Sequence, residues 1–354
     1  MKLRKLLKYN LLGLNVIAVL TLFIAYLSVF VSPDKWWVPS FFGLAYPVLL
    51  SANLFFILLW LILSPRYLWF SLVAILLGWG FLVRFVQISG KTIDNADIKV
   101  LSYNVKHFYG DGNKSQKEVA DEIRGFLKEQ QADIICLQEV RLWKNSIFNL
   151  GKTVEEFDFI NHYQFARSST TFGSVTLTRY PIVNMGEIRF DGSRNISIYT
   201  DVLIDSDTVR IFNIHLQSYQ FDLQNYSFIE AGVDNEDDLS DMRDMGSRFK
   251  RGFQQRASQV NKIRGYLDDS PYHVIVCGDF NDTPASYSYQ QMRKGLNDAF
   301  IRSGSGVGRT YVGKLPSFRI DYIFHSSGFE SYNFKTYDYR NSDHLPISCS
   351  LIKN

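Results

Sequence analysis

Cysteine is scarce in this chain of 354 residues: there are three, Cys136, Cys277 and Cys349, each inside an apolar run. No CxxC pair occurs and no cysteine is spaced with histidine as zinc ligands are, which argues against a disulfide framework and a thiolate metal centre. Buried, free thiols are expected instead. Acid is nearly missing from the front. Up to residue 91 there are eight Lys/Arg against one acid, Asp34; beyond it there are 30 Lys/Arg and 34 Asp/Glu, so the net +3 divides into about +7 in front and about −4 behind. A net-acidic back part argues against strong non-specific binding to nucleic acid, though a local basic groove remains compatible with it. No internal repeat is present. Asp234 to Asp238 lack the spacing and central glycine of a calcium loop. Ser303-Gly304-Ser305-Gly306-Val307-Gly308 is glycine-rich but has no strand-to-helix turn around it, so it reads as a flexible connection, not a phosphate cradle.

The front has long apolar runs: about 11–31, 41–63 and 67–88. Each is near the roughly 20 residues that cross ~30 Å of hydrocarbon. Trp36, Trp37, Tyr67 and Trp69 lie near the ends, where interfacial aromatics belong, and Arg84 can extend its guanidinium to the headgroups. The first run is longer than the apolar part of a signal peptide, has no clear cleavage site, and is followed by two more. Residues 1–91 are therefore expected to form a membrane anchor of three transmembrane helices. Lys2, Arg4, Lys5 and Lys8 before the first run, and Arg66 in the second connection, put the N-terminus in the cytoplasm and residues 92–354 on the extracytoplasmic side. Lys91 and the free cysteines weigh slightly against that direction.

From Asp97 short apolar runs alternate with polar, helix-like segments. Strands are predicted over 98–103, 134–138, 174–178, 197–204, 208–215, 273–278, 319–325 and 346–352, with helices over 115–131, 247–268 and 286–294. This pattern predicts an α/β fold, a layered α/β sandwich of two packed β-sheets flanked by helices. Residues 219–246, rich in acid and aromatics, read as a solvated insertion or a lid following His215.

Several apolar runs end in acid, amide or imidazole side chains. Glu139 ends Ile135-Cys136-Leu137-Gln138, where an ionised carboxylate is costly unless paired or metal-bound. His215 follows Phe212-Asn213-Ile214. Asp279 and Asn281 alternate with Phe280, so strand geometry points both to one side. Asp321 follows Phe318-Arg319-Ile320 and needs a partner, for which histidine is suited. Asp343 and His344 precede the last apolar run. Each alone fits a salt bridge, a turn or a hydrogen-bonded core residue. Gathered at one sheet edge, they are the equipment of metal-assisted phosphate-ester hydrolysis.

The pieces Leu101-Ser102-Tyr103-Asn104, Leu137-Gln138-Glu139, Asn213-Ile214-His215-Leu216, Gly278-Asp279-Phe280-Asn281, Ile320-Asp321-Tyr322-Ile323 and Ser342-Asp343-His344-Leu345-Pro346 occur in the order of the endonuclease/exonuclease/phosphatase superfamily, which residues 97–353 resemble. The resemblance implies a metal-dependent hydrolase. Glu139 with Asn104 would hold a divalent cation, Mg²⁺ first and Mn²⁺ second given oxygen ligands. Asp343 would contact that ion or another. Asp279 would align or deprotonate water, Asn281 would bond the phosphoryl oxygens, His344 oriented by Asp321 would contact the phosphate, and His215 would donate to a phosphoryl or leaving oxygen. The identity of the base stays open. The expected substrate is a phosphodiester or phosphomonoester, a phospholipid headgroup or a nucleic acid. An envelope nuclease and a non-catalytic binding protein on the same fold are the alternatives.

Overall fold

The computed structural model describes residues 2–110, 112–141, 147–168, 171–219, 236–313 and 318–354. The front part is helical: α1 (Lys2–Leu27), α2 (Val38–Leu44), α3 (Tyr46–Leu63), α4 (Leu68–Leu77) and α5 (Trp79–Phe85). Among the described residues two helices, Arg4–Leu27 and Tyr46–Leu63, are long and apolar enough to cross a membrane; a third crossing results if α4 and α5, bent by 66°, count as one. The second expected span is thus shortened, because the chain breaks at Ala45 between α2 and α3. The third breaks at Gly78, where a Cβ would lie 2.0 Å from the Tyr26 hydroxyl, so a larger residue there would force that ring to move.

Between helices this apolar, buried polar bonds specify the packing. The Asn15 amide donates to Ser71 Oγ at 2.6 Å, Trp60 Nε1 donates to Asn15 Oδ1 at 2.8 Å, and Ser71 Oγ donates to Asn53 Oδ1 at 2.9 Å. All four side chains are buried, and they tie α1, α3 and α4 together.

A two-residue strand, β1 (Val86–Gln87), follows α5, and the sandwich begins with β2 (Ile98–Asn104). Then come α6 (Gln116–Gln130), β3 (Ile134–Arg141), α7 (Leu150–Glu156), β4 (His162–Arg167), β5 (Phe172–Thr178), β6 (Ile182–Arg189), β7 (Ile196–Ile204), β8 (Asp207–His215) and α8 (Glu236–Asp268). The chain closes with β9 (His273–Asp279), α9 (Tyr287–Arg293), β10 (Asn297–Asp298), α10 (Ala299–Ser303), β11 (Gly306–Val307), β12 (Asp321–His325), β13 (Phe329–Thr336) and β14 (Ile347–Lys353). Two six-stranded sheets result, ordered β10-β12-β9-β8-β7-β6 and β13-β14-β2-β3-β5-β4. The expected sandwich is present.

Strand alternation sorts the side chains. Ile98, Val100, Ile134, Cys136, Ile211, Ile275, Cys277, Ile323 and Cys349 pack between the sheets, so the three thiols are buried and free. Leu101, Tyr103, Ile135 and Leu137 point outward onto Val119, Ile123 and Leu127 of α6, whose start carries a Ser115–Glu118 capping box. Phe212, Val276 and Phe324 face Val260, Ile263 and Met292 of α8 and α9 on the other side.

Strands β4, β6 and β13 were not predicted: their exposed, interrupted patterns lack an apolar run because β4, β6 and β13 are sheet edges. Helix α8 starts at Glu236, well before residue 247; the acidic stretch at its start is helical, and residues 220–235 of the predicted insertion lie outside the described residues. The glycine-rich segment is not a free connection either. Its Gly306 and Val307 pair with Gln87 and Val86 as a two-stranded ribbon.

Candidate active site

Alternation carries the candidate residues to one end of the inter-sheet core. Val209, Ile211, Asn213 and His215 share a face of β8; Ile275, Cys277 and Asp279 share the matching face of β9; Asp321 and Ile323 share that of β12. Register then aligns them, since Asp279 pairs with His215 on one side and with Asp321 on the other. Gly278 permits the close strand approach beneath: φ is +142° and a Cβ would lie 1.9 Å from the Ile214 carbonyl oxygen. In the facing sheet, Asn104 ends β2 on the inner face. Glu139 would point outward by alternation, but a break in register with β5 after Leu137 and a φ of +56° turn it at this point.

The atoms converge. Asn104 Nδ2 donates to Asp279 Oδ2 at 2.9 Å and to Glu139 Oε1 at 3.3 Å, while its Oδ1 accepts from the Lys106 amide at 3.0 Å. His215 Nε2 lies 3.3 Å from Glu139 Oε1 and 3.9 Å from Asp279 Oδ2, buried and without an aligned hydrogen bond. His344 Nδ1 bonds Asp321 Oδ2 at 3.0 Å, leaving Nε2 3.7 Å from Asp279 Oδ2. Asn281 donates both amide hydrogens, to Asp279 Oδ2 at 2.9 Å and to the Leu216 carbonyl at 3.0 Å; its backbone N–H caps Asp279 Oδ1 at 2.8 Å. Asp343 sits apart from this cluster's carboxylates, bonded to Lys106 Nζ at 2.8 Å. Seven of the eight predicted residues therefore interlock directly, and Asp343 joins through Lys106.

Sequence reasoning missed His107. Its Nε2 lies 3.1 Å from Glu139 Oε2, and its ring packs on Phe172. Lys106, His107 and Phe108 all have positive φ (43°, 53° and 63°), a left-handed run that bulky residues adopt only when their surroundings force it. With Glu139 and Asn281, they make five of the eight described non-glycine residues with positive φ, so backbone strain concentrates here. The available signal was the chain's small histidine count of six, one of which lies three residues beyond Asn104. Tyr311, whose ring centroid is 5.5 Å from that of His344, and Thr310, whose Oγ1 accepts from the Ile320 and Asp321 amides, were also unforeseen.

Burial and charge set the protonation states. Burial resists ionisation of Glu139, but His215 beside it and the charges of His107 and His344 outweigh this and hold the carboxyl down at about 2. Burial lifts Asp279 to about 6; His344 opposes the rise and Asp321 adds to it. Burial disfavours protonated His344, yet Asp321 and Asp279 raise it well above the ordinary histidine range. Burial dominates at His107, which is lowered.

The donor chemistry fits a hard divalent cation at Glu139: an ionised carboxylate, the Asp279 carboxylate linked to it through the Asn104 amide, and no thiolate beside it among the described residues. The ligand atoms of Asp279, Asp321 and His344 also lie within 4.8 Å of one another. A histidine must lose its proton to bind a metal, and His344 is held protonated by those same carboxylates, so Glu139 is the better cation ligand.

Residues 101–344 match the model of the endonuclease/exonuclease/phosphatase family. The chain belongs to that family. Family members typically hydrolyse phosphate esters. Residues 4–85 match a separate domain of unknown function, DUF8431. The chain is 22% identical over 277 residues to the uncharacterized protein YbhP of Escherichia coli K12, covering 72% of this chain and 95% of that one. Among solved structures, a family protein from Leptotrichia buccalis superposes with a TM-score of 0.52 at 18% identity, over 72% of this chain and 99% of its own. The catalytic domain of human Nocturnin gives 0.52 at 17%, over 76% and 97%. Truncated TDP2 from Caenorhabditis elegans gives 0.50 at 16%, over 72% and 97%. These likenesses concern the fold.

Proposed function

We propose that this family member is a membrane-anchored, divalent-metal-dependent phosphoesterase. What supports this most is the interlocking of Asn104, Glu139, His215, Asp279, Asn281, Asp321 and His344 at one end of the sandwich, with Glu139 ionised and His344 cationic. Glu139, with Asn104 beside it, would hold Mg²⁺ or Mn²⁺; when bound, the ion polarises a phosphoryl oxygen and offsets developing charge. His344 offers its Nε2 proton to the phosphate, and Asp321 on Nδ1 keeps it oriented and charged. Asp279 orients the attacking water and takes its proton. Asn281 and Asn104 hold Asp279 in place from two sides. His215 protonates the leaving oxygen. Asp343 serves the site through Lys106, whose ammonium it pairs at 2.8 Å.

The apolar helices serve as the anchor, residues 1–91, and 92–354 as the catalytic domain. Lys8 Nζ donates to Ser64 Oγ at 2.8 Å, so the lysine-rich start and the Arg66 turn share one end of the helices, while Ser28 and Arg84 meet the catalytic domain at the other. With the basic end cytoplasmic, the catalytic domain lies outside the cytoplasm. A topology reporter fused after Asn354 is expected to register the outer face. For activity, the full chain in detergent should hydrolyse bis(4-nitrophenyl) phosphate with Mg²⁺ or Mn²⁺ and stop on chelation. Glu139→Ala should lower turnover by about 100-fold or more; metal-independent turnover, or an active Glu139→Ala protein, would refute the assignment.

A further inference from the structure

The candidate site lies on the edge of the sandwich that meets the apolar helices. Pro284 and Ala285 follow Asn281 by three and four residues. Ala285 is buried among Leu22, Ala25, Val29 and Tyr46 of the helices. Ser28 Oγ donates to its carbonyl at 2.6 Å, and a Cβ on Gly43 would lie 2.3 Å from that same oxygen, so a larger residue could not sit there without displacement. Arg84 donates to the Pro284 carbonyl at 3.2 Å. Arg319, two residues before Asp321, donates to the Arg84 carbonyl at 2.8 Å. Tyr219, four residues beyond His215, packs edge-on against Phe249, and Phe249 packs edge-on against Phe41 of α2. The loop carrying Tyr311 pairs at Gly306 and Val307 with the strand leaving α5. Residues after Asp279 and just before Asp321 thus meet the helices directly, and Tyr219 after His215 reaches them through Phe249 of α8.

The connection between the two parts is pinned as well. Lys91 N donates to the Ser303 carbonyl at 3.3 Å, Asn333 N to the Lys91 carbonyl at 2.8 Å, and Ile93 N to Asn333 Oδ1 at 3.0 Å. A simple tether would need none of this. Ala285 lies six positions beyond Asp279, so at roughly 3.5 Å per residue the Asp279 backbone is at most about 21 Å from the helix cluster. Two apolar residues at the ribbon that leaves α5 stand exposed, Ile88 at 97% and Val307 at 69%.

We propose that the substrate is a phosphate ester borne by an amphiphile in the bilayer leaflet beneath the site, not a soluble ester or a nucleic acid strand; this rests on the phosphoesterase reading above. Fixed height and tilt of a site matter when the reacting phosphate itself has a fixed height, as a headgroup does, and sharing one surface raises effective concentration. The step is ordinary hydrolysis. A P–O bond to water forms as a P–O ester bond breaks, the water proton passes to Asp279, and the leaving oxygen takes a proton from His215.

The test uses the full chain in dodecyl maltoside micelles with Mg²⁺ or Mn²⁺ and a chemically matched pair, methyl and hexadecyl 4-nitrophenyl phosphate, with a single-stranded DNA oligonucleotide as a third arm. The expected kcat/KM for the hexadecyl ester exceeds that for the methyl ester by about 100-fold or more, and the hexadecyl rate falls when added detergent dilutes it at constant bulk concentration. Ile88→Glu with Val307→Glu, both exposed and outside the site, is expected to lower the hexadecyl arm about tenfold, the effect of about 1.4 kcal/mol, and to leave the methyl arm unchanged. Equal rates on the two esters, faster cleavage of DNA, or an equal effect of the double substitution on both arms would overturn the proposal while leaving a phosphoesterase. Absence of metal-dependent turnover in every arm would instead remove the phosphoesterase reading, and this proposal with it.

Discussion

Replacing Arg256 by methionine removes a cation that binds α8 to two site loops at once. Arg256 is fully buried; its Nε donates to Asp282 Oδ2 at 3.1 Å and its Nη1 to the Gln217 carbonyl at 2.7 Å, with the guanidinium 4.3 Å from the Tyr219 ring centroid. Gln217 lies two residues past His215, and Asp282 is next to Asn281. Methionine fills much of the same volume, so the main loss is electrostatic: Asp282 keeps its bond from Ser288 Oγ at 3.0 Å but loses its counter-charge in a buried place. Removing one partner of a buried pair costs about 3–5 kcal/mol; the aromatic contact, about 2 kcal/mol when desolvated, overlaps with that figure and is not added. At about 2–4 °C per kcal/mol for a domain of this size, Tm should fall by about 6–20 °C. Thermal unfolding of the full chain in detergent, with Asp282→Asn and the double variant completing a cycle, measures it. The double variant should recover part of the loss, since no charge is then stranded. A single-variant loss below about 1 kcal/mol, or strict additivity, would refute the reasoning.

Activity should show an acidic limb set by Asp279. Its pKa is lifted to about 6 in the metal-free protein and a bound cation lowers it, so kcat/KM should be level above about pH 6 and fall about tenfold per unit on the acid side of the loaded enzyme's pKa; a rate that keeps rising above about pH 7 would exclude Asp279 as the base. Gly278→Ala should abolish folding or activity, because its Cβ would lie 1.9 Å from the Ile214 carbonyl in the pair of strands that carry His215 and Asp279; wild-type Tm and turnover would contradict the register. Asn53→Leu should weaken helix packing by about 0.6–1.7 kcal/mol, seen as a shift in the midpoint of denaturation in detergent and as altered Trp60 emission; an unchanged midpoint would mean that the buried bonds do not hold the helices.

The sandwich and most of the site were legible because alternation makes both visible. Val100, Cys136, Ile211 and Cys277 mark the buried face, and the same face, followed to its end, delivers Asn104, His215 and Asp279. Edge strands such as β4 were not legible, since half of each is exposed and only the sheet supplies its partners. His107 was hidden because it is placed by three successive left-handed residues, a conformation that tertiary contacts impose and sequence pattern does not announce. Glu139 was found at a strand end, although alternation alone points it the wrong way; the register break that turns it was invisible. The bend at Gly78 and the docking of Ala285 were missed for a related reason, because each depends on contact between segments far apart in sequence. Asn281 was expected to reach toward phosphoryl oxygens, but its amide hydrogens are already engaged by Asp279 and Leu216.

The buried bonds among Asn15, Asn53, Trp60 and Ser71 make the three helices interdependent. A buried amide left without a partner is costly in any apolar surrounding, so each of these segments depends on the others for its bonds. A chimera in which a generic hydrophobic tail replaces α1 would leave Trp60 and Ser71 facing no acceptor or donor from Asn15. The three helices therefore pack as a unit, and replacing any one of them strands polar side chains of the other two.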